Sequence, residues 1–122
     1  MPKHAIHIKL VNVAKPGKNP VYQFKAVPSV LRVDSKIKGH QVQWINDHGG
    51  TAKLTFPNAD RVFKNTAKSH SADIPSDQDQ LDVLDSPTRG TYDYRVFCEQ
   101  TVNGQKIQDH AQGDSDPRIN VD

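Results

Sequence analysis

The chain has 122 residues and a mass of 13.6 kDa, one domain's worth, and it reads as a single domain over residues 1–122. With 34% hydrophobic residues, 25% charged residues and a net charge of +2, it is not a disordered polyelectrolyte, and no apolar stretch is long enough for a membrane helix. Thirteen Asp stand against a single Glu (Glu99), and twelve Val and seven Ile against five Leu, which excludes a helical bundle, because Leu and Glu favour helices while β-branched residues suit strands and Asp suits turns.

The first nine residues lack the apolar segment and small-residue cleavage site of a secretory signal. Cys98 is the sole cysteine, so no intrachain disulfide can form. Both features lead to the expectation of a cytoplasmic protein. Residues 4–12 alternate, with Ile6, Ile8 and Leu10 on one face of a predicted strand and His7 and Lys9 on the other. Pro16 to Pro20 is a turn cluster. Tyr22, Phe24 and Ala26 then face inward, Pro28 interrupts, and Val30 to Val33 resumes the extended pattern. A strand from His40 to Asn46 turns Val42 and Trp44 inward. It leads through Asp47-His48-Gly49-Gly50 into a strand carrying Ala52, Leu54 and Phe56, closed by Pro57. Val62-Phe63 is a short apolar pair. Residues 64–80 are polar and read as a long excursion with room for one helical turn, followed by a short strand from Leu81 to Leu84.

Gly90 opens the strongest strand, with Tyr92, Tyr94, Val96 and Cys98 on one face and Asp93, Arg95, Phe97 and Glu99 on the other. Asn103-Gly104 signals a two-residue hairpin turn, whose register sets Cys98 opposite Asp109 and Phe97 opposite His110. Arg118 to Val121 forms a closing strand. Seven or eight short strands with turns between them describe an all-β, antiparallel Greek-key sandwich or partly open barrel. Charge is unevenly spread: residues 1–40 hold eight basic side chains against Asp34, and residues 73–93 hold six Asp against Arg89. We read these as two surfaces that attract each other within one fold. No aromatic RNA-binding motif or Gly-rich phosphate loop accompanies the lysines, so nucleic acid is not expected as a partner.

Two of these segments resemble the cupredoxin family, the fold of plastocyanin and azurin. Gln43 to Phe56 resembles the family's strand–loop–strand, and Gly90-Thr91-Tyr92-Asp93-Tyr94-Arg95-Val96 resembles its Gly-Thr-Tyr-x-Phe-x-Cys strand. The resemblance implies a cupredoxin-like sandwich and raises the question of copper. A blue-copper site needs two imidazoles and a thiolate with a weak axial group. Carried onto this sequence, the family's first His falls on Ala52 and its Cys on Val96, and neither can ligate; Met1 is the sole methionine.

The displaced candidates for a metal are Cys98, His48 and His110. Cys98 keeps the inward face two residues further along, while the hairpin register turns His110 to the opposite face. His48 beside Asp47, and His110 near Asp114 and Asp116, offer His/Asp cation ligands, but ordinary turn chemistry accounts for the same residues. His4 and His7 point to opposite faces, and His40 and His70 read as solvated surface. A Cys98–His110–Asp109 triad fails on the same register, and no nucleophile elbow or EF-hand loop is present.

The expectation is a non-catalytic, cupredoxin-like binding or structural module without a type 1 copper site or other cofactor. Its partner would be an unknown protein or a second copy joined through open strand edges. The alternative is a copper-binding redox or carrier protein that uses Cys98 with His48 or His110. An immunoglobulin-like protein-binding domain would use Trp44 and the Tyr92/Tyr94 strand equally well.

Overall fold

The computed structural model describes residues 3–74, 78–113 and 116–122, without the side chains of residues 78 and 79. Its strands are packed into a β-sandwich. The first sheet has the order β2-β1-β4-β7. The second half of β1 (Lys3–Asn12) pairs antiparallel with β2 (Tyr22–Val27), from His7 opposite Val27 to Asn12 opposite Tyr22. Its first half pairs parallel with β4 (Gln41–Asn46), from Lys3 opposite Gln41 to Ile8 opposite Asn46. β7 (Gln78–Asp82) adds antiparallel to the far side of β4.

The second sheet has the order β10-β9-β5-β6, built from β5 (Thr51–Pro57), β6 (Ser69–Asp73), β9 (Arg95–Val102) and β10 (Gln105–His110). A third, smaller sheet sets β11 (Arg118–Val121) between β3 (Val30–Val33), to which it runs parallel, and β8 (Gly90–Asp93), to which it runs antiparallel. Gln112 closes one side of the sandwich: its N–H donates to the Phe24 carbonyl and its carbonyl accepts from Ala26, at 3.0 and 2.8 Å.

The core follows from the alternation. Ile6, Ile8, Val42, Trp44, Leu54, Phe56, Val96 and Ile119 are fully buried. Trp44 of the first sheet meets Tyr94 edge-on at 5.6 Å and Phe56 at 6.3 Å, while Phe56 stacks on Tyr94 at 5.6 Å. Phe63 joins the group at 5.1 Å from Phe56. Such offset and edge-on pairs add stabilisation beyond the area they bury. Leu10 packs against the core while only partly buried, and Tyr22, on the edge strand β2, is half-buried rather than a core residue.

Several expectations are corrected. The excursion over residues 64–80 holds most of two strands, β6 and β7. Each is an edge strand with one face in water, where polar residues are tolerated, and each is organised by a neighbour distant in sequence. The single helical turn lies earlier, at Ala59–Arg61. The long strand from Gly90 is split at Tyr94, whose N–H donates to the Pro117 carbonyl at 3.1 Å, so that β8 joins the third sheet and β9 the second. Tyr92, Tyr94, Val96 and Cys98 nonetheless keep one inner face.

Among the described residues no ion pair joins the basic first third to the acidic run over residues 73–93; the carboxylate of Asp85 pairs instead with Lys64, at 3.7 Å. Asp77 and Asp114 lie outside the described residues. Among those described, no helix is long and apolar enough to cross a membrane.

The aromatic contacts make Phe56→Ala a sharp test of the core. We expect a loss of about 3–5 kcal/mol, read as a lower urea midpoint at unchanged slope.

Candidate functional site

The residues singled out in the sequence lie around the β4–β5 loop and the ladder between β5 and β9. Asn46, the last residue of β4, is buried and organises the loop. Its Nδ2 donates to the carbonyls of Gly50 at 2.9 Å and Ile74 at 2.6 Å, and its Oδ1 accepts from the His48 N–H at 3.1 Å. From β9, the Gln100 side-chain amide donates to the His48 carbonyl. Gly50 lies so close to β9 that a Cβ there would collide with the Glu99 carbonyl oxygen. The loop is therefore held from three sides, whatever side chain stands at its tip.

Within this frame His48 is committed to a local role. Its Nδ1 accepts the Gly50 N–H at 3.1 Å, and its ring tilts against Phe24 at 5.0 Å. An accepting Nδ1 puts the proton of the neutral ring on Nε2, which is buried and unpartnered. Burial holds the His48 pKa below its ordinary value, with Asp47 acting in the opposite sense.

Cys98 is fully buried on β9, directly opposite Ala52 on β5, with Val96 opposite Leu54 in the next inward pair. Burial, and then the Asp109 carboxylate, push the thiol up to about 12, so it is neutral and unreactive at ordinary pH. The hairpin register expected from Asn103-Gly104 holds: Cys98 is opposite Asp109 and Phe97 opposite His110. His110 is exposed and meets Phe97 edge-on at 5.2 Å on the outer face. Among the described residues no three His, Cys, Asp or Glu side chains gather into a set that could hold a metal ion.

Two histidine contacts escaped the sequence reading. His7 Nδ1 lies 2.7 Å from an Asp47 carboxylate oxygen on the outer face. His4 Nε2 lies 2.8 Å from His40 Nδ1. His40 is 5% exposed, not solvated surface, and His70 is half-buried on β6. Parity along each strand was readable; the parallel pairing of β1 with β4 that creates these contacts carries no turn signal. An open groove of about 700 Å³ lies beside the loop, lined by Lys9, Leu10, Asp47, His48, Gln100 and Asn103 among others.

No protein-family model matches the chain, and no curated protein matches its sequence. Solved structures similar to it include a purple cupredoxin from Nitrosopumilus maritimus, with a TM-score of 0.46 and 14% identity over 98% of this chain and 99% of that one. Lac15 from a marine microbial metagenome is similar at a TM-score of 0.41 and 12% identity over 95% of this chain, which spans 33% of that structure.

Two outcomes follow from the geometry. Asn46→Ala strips the loop of three hydrogen bonds and leaves buried carbonyls unpaired, so we expect a loss of about 2–3 kcal/mol in chemical denaturation. Cys98 in the folded chain should resist a disulfide reagent at neutral pH, labelling only as fast as the protein unfolds; rapid stoichiometric labelling of native protein would contradict its burial.

Proposed function

We propose that this chain is a cupredoxin-like module in which aliphatic packing fills the place of the type 1 copper site, and that it acts by binding rather than by catalysis. One observation carries the reading: Cys98 and Val96 sit on the inner face of β9 against Ala52 and Leu54 of β5, with all four side chains buried. A blue-copper centre needs a thiolate and two imidazoles converging on one point. Here the thiol is held neutral by burial, the Nδ1 of His48 is taken by Gly50, and His110 faces the other side of the sheet. These residues do not fit the metal.

The same burial speaks against nucleophilic chemistry at Cys98, because the thiolate is the reactive form. A partner would then be met by surface. β3, β6, β7 and β8 end their sheets in the strand order, and such edges can pair with a second copy or another extended chain.

The decisive experiment is metal analysis of untagged protein after loading with Cu(II) and with Cu(I), followed by dialysis. The expected result is copper far below one equivalent, no intense visible thiolate–copper band and no change in Tm. Stoichiometric copper that disappears in Cys98→Ser would overturn the reading in favour of a metal carrier. Sedimentation over a range of concentrations tests self-association, and a concentration-dependent dimer is the expected outcome.

A further inference from the structure

We propose that the His4–His40 pair is a pH-operated latch on the amino-terminal half of β1. The two rings are nearly coplanar, at 18°, with centres 5.0 Å apart and facing nitrogens 2.8 Å apart. That centre-to-centre distance is about two ring radii plus the bond, so the imidazoles meet edge to edge in an in-line N–H···N hydrogen bond. Such a bond holds one proton between the two nitrogens. A second proton, on Nε2 of His4, would make that half-buried ring a cation and set two N–H groups against each other.

The tautomers follow from the surroundings. Nε2 of His40 is buried and has no hydrogen-bond partner among the described residues. A proton there would be an unpaired buried donor, a cost that His48 bears because its Nδ1 accepts from Gly50 but that His40 avoids by donating from Nδ1. His40 therefore donates from Nδ1 to Nε2 of His4, and His4 keeps its own proton on Nδ1 of a half-buried ring. Burial first, and His40 second, hold the His4 pKa below its ordinary value.

What the pair latches is set by the register. β2 pairs with β1 only from His7 onward. Among the described residues Lys3 to Ile6 have β4 as their one strand partner, so this half of β1 is itself a sheet edge, anchored at its inner end by the buried Ile6. The other charged groups at this end do not compensate. Lys3 adds positive charge from β1, and Lys38 precedes β4. Asp82 of β7 takes the Gln41 amide at 3.0 Å, and Asp85 pairs with Lys64. None of these groups bonds either imidazole.

The sign is fixed. With its pKa lowered, His4 binds fewer protons in the folded chain than in the unfolded one. The stability it supplies is complete above 6.5, the ordinary His value, and is lost as pH falls below it. Because only the half-strand depends on the pair, acid should free Lys3 to Ala5 and expose the β4 edge before the sandwich unfolds.

The test is amide hydrogen exchange, corrected for intrinsic rates, between about pH 8 and pH 5. In the wild-type chain we expect protection over Lys3–Ala5 to fall about tenfold or more relative to His7–Asn12. His4→Gln should abolish the selective loss. His48, also held neutral by burial, remains in that variant and controls for general acid destabilisation. Equal protection of both halves at both pH values, or the same selective loss in His4→Gln, would overturn the latch. If the variant does not fold, nitrogen NMR of the wild-type imidazoles decides: a bare His40 Nε2 and one shared proton at high pH support it, and two rings titrating independently refute it.

Discussion

Trp44 is a side chain on which both faces of the sandwich converge. It projects from β4 in the middle of the first sheet and meets Tyr94 and Phe56 from the opposite side of the sandwich and Phe63 from the segment after β5. Three edge-on contacts fix both the spacing of the sheets and their lateral offset, because an edge-to-face pair loses its advantage when it slides. The inward faces of β5 and β9 are thereby set, and with them the apposition of Ala52 with Cys98. The arrangement leaves polar atoms inside: the Trp44 N–H and the Tyr94 hydroxyl are buried with no hydrogen-bond partner among the described residues. Burial raises the Tyr94 pKa, so the hydroxyl stays neutral.

The same burial shapes the rest of the molecule's titratable chemistry. Cys98 is kept protonated, and His4 and His48 are kept neutral, each chiefly by desolvation. Groups that would serve as ligands or nucleophiles elsewhere are here tuned toward the uncharged forms that pack. Glu99 behaves differently at the surface, where hydrogen bonds from Gln108 and Lys106 lower its pKa. The interior favours cohesion over reactivity, and the ionised groups lie outside.

How much of this was legible in the sequence depended on how local the determining contact is. Asn103-Gly104 specified a turn, the turn specified a register, and the opposite faces of Cys98 and His110 followed correctly. Alternation likewise identified the buried faces of β1, β4, β5 and β9. Contacts set by pairing between distant strands were hidden. His4 and His40 are 36 positions apart and His7 and Asp47 are 40 apart, and both meet because β1 lies parallel to β4. β6 and β7 were hidden for a related reason: polar composition read as a loop until the neighbouring strands supplied a template. The break at Tyr94 leaves the inward alternation intact, so periodicity gave no sign of it.

The two parallel pairings also carry a kinetic meaning. Val30 of β3 must find Arg118 of β11, and Lys3 must find Gln41, before either ladder contributes any stability. Closing such long loops costs entropy before the contacts return it, and sandwiches of this kind fold in milliseconds to seconds rather than microseconds. During that interval the antiparallel pairs β1–β2, β5–β6 and β9–β10 can form while their outer edges stand open. A crowded solution therefore offers the half-made sheet intermolecular partners as well as its own later strands, and the order in which distant strands arrive governs yield as much as final stability does.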